Sequence, residues 1–193
     1  MAPQRRFSES VQACANRLVR CPAGGLTELF DLTSMRLVRY ATTLLRNQHD
    51  AEDVVQAVLA RVADEPRRLS RAQNAWGYLL QMTRNEALML VRRRRRCTSV
   101  GSLGDCIDGD DLNVRRRVDE VEQQELHRNI WLAIREIPVE QAEVVVLRIW
   151  EGMTFLQISQ LLDVSANTVA SRYQYAISKL GQKLSKLVEE SVR

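Results

Sequence analysis

Apolar side chains recur every three or four residues along most of the chain, and this spacing constrains the fold more than any other feature. Only eight glycines and four prolines interrupt the 193 residues, which argues against a Gly-rich all-β architecture and against disorder along the whole chain. We therefore predict an all-α protein. The longest apolar stripe contains Leu26, Phe30, Leu37, Ala41 and Leu44, with Leu29, Val38 and Leu45 beside it.

Three packed helices are expected in the first half of the chain. The first starts at Gly24 and Gly25 and carries the long stripe. A second begins near Asp50, where acidic side chains suit the positive end of the helix dipole, and ends at Pro66. The third follows Asn74, which is a good N-cap residue. The inward positions expected on these two helices are Ala51, Val54, Val55, Val58, Val62, Trp76, Leu79, Leu80, Thr83, Ala87, Leu90 and Val91.

The second half also reads as helical. One helix breaks at Pro138, and the next is closed by Gly152. Thr154 and Gln157 have the spacing of a capping box, and a short helix should start there. Asp163 follows as a tight turn. The expected core positions are Val118, Val121, Leu126, Ile130, Ala133, Ile134, Ile137, Ala142, Val145, Val146, Ile149, Ile158, Leu161 and Leu162.

After that turn, Ser165 caps a longer helix with inward positions at Val169, Tyr173, Ala176, Ile177 and Leu180. A short helix, a tight turn and a long helix make a helix-turn-helix, which leaves the outer face of the long helix free to enter a DNA major groove. Any helical hairpin can imitate this pattern, so a purely structural role stays open. The side chains on the outer face are Asn167, Thr168, Ser171, Arg172 and Tyr175.

Charge is distributed unevenly along the chain. Residues 65–96 hold nine arginines against two glutamates, a local net charge of +7 that would attract a polyanion. Residues 105–125 reverse the sign, with a net charge of −5. The acidic stretch has several glycines and no sustained period, so it is typical of a flexible linker between two helical domains.

These observations divide the chain into five parts. The segment before Gly24 is extra sequence without a derived role, and it is expected to be partly helical from Ser8 to Val19. The parts are an N-terminal extension (1–23), a first domain (24–96), a linker (97–117), a second domain (118–187) and a tail (188–193).

Neither a metal site nor a membrane segment is expected. The four cysteines, Cys14, Cys21, Cys97 and Cys106, are spaced too irregularly for a zinc site. No apolar stretch is long enough for a signal peptide core or a membrane span, so we expect a cytoplasmic protein with reduced thiols, no cofactor and no membrane insertion.

Several motifs together resemble a known family. The runs Asp50-Ala-Glu-Asp-Val-Val-Gln56, Asn74-Ala-Trp-Gly-Tyr-Leu-Leu and Thr83-Arg-Asn-Glu-Ala resemble region 2 of bacterial sigma factors of the extracytoplasmic-function group. Ile137-Pro-Val-Glu-Gln and the residues from Thr154 to Leu180 resemble their region 4. Two positions depart from the family pattern: Asp163 stands where glycine is common, and Ala170 replaces a lysine.

The resemblance implies an RNA polymerase subunit. Region 2 would melt and read the minus-10 promoter element, and region 4 would read the minus-35 element. Implied partners are promoter DNA and the core polymerase, through its β′ clamp helices and β flap, and an anti-sigma factor stays open. The implied polymerase contacts are Asp50, Glu52, Asp53 and Gln56. The implied minus-10 contacts are Arg67, Arg68, Arg71, Asn74, Arg84, Asn85, Arg92, Arg93 and Arg94. The implied minus-35 contacts are Thr154, Ser165, Asn167, Thr168, Ser171, Arg172 and Tyr175.

Three other functions compete with this one. A homodimeric helix-turn-helix regulator that works without polymerase explains residues 154–180 but not the motif at 50–56 or the arginine-rich window. A helical adaptor that binds only protein would not be retained by heparin or DNA. An enzyme is disfavoured because the sequence has no Gly-rich phosphate loop, no HExxH motif and no histidine near a candidate nucleophile.

Overall fold

The structure is a computed structural model that describes residues 2–98 and 121–191, with side chains described from 4 to 96 and from 129 to 184. The described residues form nine helices and no strand, which confirms the all-α prediction. They divide into two compact units on either side of residues 99–120. The predicted linker, Val118 and the end of the tail lie largely outside the described residues.

The first unit is built around one long central helix. Its helices are α1 (Ala2–Arg20), α2 (Pro22–Leu45), α3 (Gln48–Asp64), α4 (Pro66–Ser70) and α5 (Ala75–Thr98). Helix α2 packs against α1, α3 and α5. Its completely buried side chains include Leu29, Leu37, Tyr40 and Ala41. The hydrophobic effect of burying this stripe therefore holds three neighbours on one helix.

Local chemistry sets the helix ends in this unit. Helix α2 stops where Arg46 adopts a left-handed conformation with φ of 56°. The Asn47 side chain then accepts a hydrogen bond from the amide of Asp50 at 3.0 Å and so caps α3. Pro66 opens α4, because a proline at the first helical position gives up no hydrogen bond. The expected cap of α5 is present, since Asn74 accepts from the amide of Gly77 at 3.1 Å.

The N-terminal segment is part of the first unit. Helix α1 is longer than the expected helix from Ser8 to Val19, and it buries Val11, Ala15 and Leu18. Helix α2 begins at Pro22 rather than at the glycines. Gly25 lies inside its first turns, where a Cβ atom would lie 2.5 Å from the Cα of Leu18. The glycine is therefore needed for the close approach of α1 and α2.

Several positions expected in the core of the first unit are exposed or only partly buried. Phe30 is 50% exposed because the buried face of α2 runs through Leu29 and Thr33 instead. Leu90 and Val91 are half-buried near the C-terminal end of α5.

The second unit contains four helices: α6 (Val121–Glu136), α7 (Val139–Ile149), α8 (Phe155–Leu162) and α9 (Ala166–Ser191). A core of Ala133, Ile134, Ile137, Ala142, Val145, Ala176 and Leu180 joins α6, α7 and α9. The rings of Trp131 and Trp150 pack at its edge with centroids 5.1 Å apart. Ile149 and Ile177 were expected inside, but both are exposed, because each lies just beyond the buried face of its helix.

The expected positions Val121 and Leu126 fall among residues whose side chains are not described. Across the described ranges 2–98 and 121–191, no helix combines the length and the apolar character that crossing a membrane requires.

Candidate nucleic-acid interface

Helix α8 starts with the predicted capping box. The Thr154 hydroxyl accepts a hydrogen bond from the amide of Gln157 at 3.2 Å, and the Gln157 side chain accepts from the amide of Thr154 at 2.8 Å. Two backbone donors that the helix start would leave orphaned are thereby satisfied. Since the Thr154 side chain is occupied in this cap, its first role is to fix the start of the short helix.

A tight turn joins α8 to α9. Asp163 has φ of 56° and ψ of 48°, a left-handed conformation that Asp tolerates better than most residues. The amide of Val164 donates to the carbonyl of Ser159 at 3.1 Å and closes the turn. Ser165 then accepts from the amide of Thr168 at 3.0 Å, which caps α9 as expected. The structure therefore has the helix, turn and helix that the sequence predicts.

The outer face of α9 presents polar side chains near its N-terminus. Asn167, Ser171 and Tyr175 are exposed and follow one another every four residues, so they form one stripe. Arg172 is half-buried beside that stripe. The Thr168 hydroxyl lies 2.8 Å from that of Ser165, within the cap. The stripe can thus reach base edges, whereas the two capping hydroxyls are already in use.

Aromatic contacts stabilise the packing of α8 against α9. The rings of Phe155 and Tyr173 lie 5.5 Å apart and connect the start of α8 to α9. The Arg148 guanidinium lies 4.9 Å above the Phe155 ring and donates to the carbonyl of Met153 at 2.8 Å. Such contacts hold the long helix at a fixed angle to the short one, as a DNA-reading helix requires.

The first unit presents arginines on and just after α4. Arg67, Arg68 and Arg71 are all exposed. Arg68 forms an ion pair with Glu65, which lies three residues earlier. Helix α4 is a single turn, and a loop of four residues, 71–74, follows it, so that the three arginine side chains face solvent.

The other predicted minus-10 residues lie along α5 or at its start. Arg92 and Arg93 are exposed near its C-terminal end, and Arg84 is half-buried. Asn85 is exposed and accepts a weak hydrogen bond from Gln81 at 3.4 Å. Asn74 is exposed, and its side-chain oxygen serves the helix cap.

The motif at 50–56 presents two different surfaces. Asp53 and Gln56 are exposed on the outer face of α3. Glu52 is half-buried and accepts a hydrogen bond from Gln48 at 2.8 Å. The Asp50 side chain is only 13% exposed and forms an ion pair with Arg94 of α5. The sequence missed this pairing because its two members are 44 residues apart.

A second set of contacts was also missed by sequence reasoning. Gln12 and Asn16 of α1 bond to the two ends of the loop at 71–74. No local signal marks them, because an amide side chain on an exposed helix face is common.

Cysteine and metal chemistry add little to this interface. No cluster of potential metal ligands occurs among the described residues. Cys14 and Cys21 are free thiols. Burial, followed by the nearby Glu28 carboxylate, raises the pKa of the Cys14 thiol above its ordinary value. The side chains of Cys97 and Cys106 lie outside the described residues.

Comparison with known families matches both units. The family model for sigma-70 region 2 matches residues 29–97, and the model for sigma-70 region 4 matches residues 127–180. Together the two matched ranges span well over half of the chain.

Two bacterial sigma factors are similar to this chain in sequence. The ECF RNA polymerase sigma factor SigE of Mycolicibacterium smegmatis is 29% identical over 160 residues, which cover 82% of this chain and 61% of the relative. The ECF RNA polymerase sigma factor SigL of Mycobacterium tuberculosis is 29% identical over 160 residues, covering 82% of this chain and 88% of the relative.

Solved structures share the fold. The sigma factor RpoE from Bartonella quintana, crystallised with the anti-sigma factor NepR, has a TM-score of 0.65 at 20% identity, covering 82% of this chain and 96% of that one. CnrH, solved with the cytosolic domain of CnrY, has a TM-score of 0.62 at 18% identity, covering 92% of this chain and 98% of that one.

Proposed function

Because the chain belongs to the sigma-70 family of RNA polymerase sigma factors, and to its extracytoplasmic-function type, we propose that it brings core polymerase to promoters and helps to open them. In this proposal the first unit binds polymerase and the separated minus-10 strand, and the second unit reads the duplex minus-35 element. The chain contributes binding energy and geometry to initiation and no catalytic step of its own. It works in the cytoplasm, where polymerase and chromosome are found.

One observation carries the proposal: the chain has two polar surfaces suited to different forms of DNA. The stripe of Asn167, Ser171 and Tyr175 lies on a braced helix of the size that a major groove admits. Arg71 instead begins the short loop at 71–74 and Arg67 lies on α4 before it, and cations around a loop suit an extruded or single strand. A regulator of duplex DNA needs only the first of these surfaces.

Polymerase binding is assigned to the outer face of α3. Asp53 and Gln56 are exposed there, next to a buried apolar stripe that keeps the helix in place. An exposed carboxylate can pair with basic side chains of the β′ clamp helices and contribute to both specificity and association rate. Asp50 and Glu52 belong to the same proposed surface, and each already has a partner within the unit. The second unit would contact the β flap.

An anti-sigma factor is a further partner in this proposal. The RpoE structure, which shares the fold, contains one. An anti-sigma factor that bound the exposed face of α3 would exclude polymerase from it, because one surface cannot bind both proteins at once.

The proposal is tested by run-off transcription with purified core polymerase on fragments of the genome that encodes the chain. We expect discrete transcripts that need both the chain and the core enzyme, and that decrease for the Arg172→Ala variant. Core polymerase without the chain is the control. If the chain binds DNA fragments as a dimer and supports no transcript, the result would indicate a homodimeric regulator and not a sigma factor. Failure to bind DNA or heparin with continued protein binding would indicate an adaptor instead.

A further inference from the structure

Helix α1 contacts the loop that the proposed function assigns to the separated DNA strand. Gln12, in the middle of α1, donates from its side-chain nitrogen to the carbonyl of Ser70 at 3.1 Å. Its side-chain oxygen accepts from the amide of Ala75 at 3.2 Å. One amide side chain therefore joins the last residue of α4 to the first residue of α5.

Two further contacts support the same connection. The hydroxyl of Ser70 donates to the Asn16 side chain at 2.8 Å, one helical turn after Gln12. The ring of Phe7 meets that of Trp76 edge to face, with centroids 5.0 Å apart. Trp76 follows Ala75 directly, so α1 contacts both ends of the loop.

Helix α1 can act as a rigid support because it is itself anchored. Val11, Ala15 and Leu18 are at most 1% exposed. These residues lie on the face of α1 that packs against the rest of the unit, at the three- and four-residue spacing of a helix. Gln12 and Asn16 lie one position after Val11 and Ala15 and so form an adjacent polar stripe.

The loop between these anchors is short and polar. It consists of residues 71–74, of which Arg71, Gln73 and Asn74 are exposed. A loop held at both ends has few conformations to lose when it binds a ligand, so binding it costs less entropy. A loop released at one end would lose more conformational entropy each time it bound a ligand.

We propose that Gln12 and Asn16 are positioning residues that hold the loop at 71–74 ready to receive a single DNA strand. This inference rests on the proposed function, and it gives the N-terminal helix a part in promoter opening. The two residues contact the ends of the loop rather than DNA, and their effect is transmitted through Ser70 and Ala75.

Three substitutions of Gln12 affect its two hydrogen bonds in different ways. Gln12→Ala removes both hydrogen bonds. Gln12→Glu keeps the acceptor for Ala75 but replaces the donor to the Ser70 carbonyl with a negatively charged oxygen. Gln12→Asn shortens the side chain by one carbon, so that it no longer spans both partners. Glu9→Ala is the matched control, because Glu9 is exposed on the same helix and pairs with Arg5, four residues earlier.

The first measurement is amide hydrogen exchange of the full chain alone. We expect the Ala75 amide to exchange about tenfold faster in Gln12→Ala than in the wild type, since its acceptor is lost. Exchange in α3 should stay unchanged, and Glu9→Ala should match the wild type throughout. Unchanged exchange at Ala75 would show that Gln12 does not hold the loop.

The second measurement uses the chain assembled with core polymerase and a fluorescent single-stranded oligonucleotide. The oligonucleotide carries the non-template minus-10 region of a promoter that the wild type transcribes. We expect affinity to fall about fivefold for Gln12→Ala, less for Gln12→Glu, and not at all for Glu9→Ala, with core binding constant. Faster exchange at Ala75 with unchanged strand affinity would overturn the proposal.

The two measurements separate the possible failures. A wild-type chain that initiates at no promoter would refute the proposed function, whereas hydrogen exchange would still test the anchoring. Equal loss of core binding and strand binding in Gln12→Ala would indicate a merely structural role. Wild-type core binding by Gln12→Glu would show that the unit remains folded.

Discussion

Arg94 donates two hydrogen bonds, each 2.5 Å long, to the carboxylate of Asp50. The pair connects the end of α5 to the first turn of α3. Sequence reasoning assigned the two residues to different partners, one to DNA and the other to polymerase. Their pairing means that the two charges already neutralise each other within the unit before any external partner binds.

The strength of this pair can be measured with a double-mutant cycle. Asp50→Ala and Arg94→Ala should each lower the free energy of unfolding, and the coupling between them should be about 1 kcal/mol, because the pair is bidentate but half-exposed on the arginine side. The coupling should shrink at high salt. Urea unfolding measures it, and Arg93→Ala, an exposed neighbour, is the control. A coupling near zero would contradict a stable pair.

Core polymerase binding should depend on the outer face of α3. Replacing Asp53 and Gln56 with Ala should weaken binding to core polymerase while the helical circular-dichroism signal stays intact, because both side chains are exposed. Asp64→Ala is a matched control that removes an acidic group from the same helix near its other end. Equal losses of affinity in the double variant and in Asp64→Ala would indicate a general charge effect. Unchanged affinity in the double variant would exclude this face from the interface.

Measurements of promoter opening should distinguish the roles of the two DNA-binding surfaces. Replacing Arg67, Arg68 and Arg71 with Ala should impair opening more than duplex binding, since their charge matters most once a strand is exposed. Arg172→Ala should instead cost about 1–3 kcal/mol of upstream-element binding if it contacts guanine in bidentate fashion.

Templates with a pre-melted bubble provide the comparison for these two proteins. A bubble should partly rescue the triple variant and leave Arg172→Ala impaired, as permanganate footprinting of thymines would show. Equal rescue of both would contradict the division of roles between the units.

A substitution at Asp163 should be able to increase the stability of the turn between α8 and α9. Its left-handed conformation costs an Asp more than a glycine, so Asp163→Gly should stabilise the second unit by about 0.5–1 kcal/mol, and Asp163→Ala should destabilise it. Urea unfolding followed by the fluorescence of Trp131 and Trp150 measures both changes. Equal effects of the two substitutions would mean that backbone strain at this turn is negligible.

The two described cysteines should react at different rates. Burial and the neighbouring Glu28 raise the pKa of Cys14, so less thiolate is present at any pH below that pKa, and alkylation should be slower than at the exposed Cys21. The Cys14 rate should rise with pH and should increase in Glu28→Gln. Peptide mass spectrometry after timed iodoacetamide treatment measures both rates, and faster reaction at Cys14 would contradict the assignment.

Much of the fold follows from periodicity and capping chemistry. Both are local, so the helix-turn-helix with Thr154, Asp163 and Ser165 could be predicted in detail. Burial at the edge of a stripe is not local. Phe30 and Leu29 are equally apolar neighbours, and only the position of α1 and α3 around α2 decides which of them faces inward.

The same limit applies to the candidate site: local patterns could be predicted, and contacts between distant parts of the chain could not. Exposure of Asn167 follows from helical phase, and the structure agrees, whereas the short helix α4 that carries Arg67 was not predicted. The partners of Asp50 and Gln12 lie 44 to 63 residues away along the chain, and no sequence spacing encodes such contacts. Whether the predicted residues touch polymerase or DNA stays a prediction.

The close approach at Gly25 has a genetic consequence. Any side chain at this position would collide with the backbone of Leu18 and push α1 away from α2. Since α1 carries Gln12, the displacement would reach the loop at 71–74 from a site that touches neither nucleic acid nor polymerase. A screen for alleles that bind promoters yet fail to open them should therefore recover codon 25, although this residue lies in the packing between two helices.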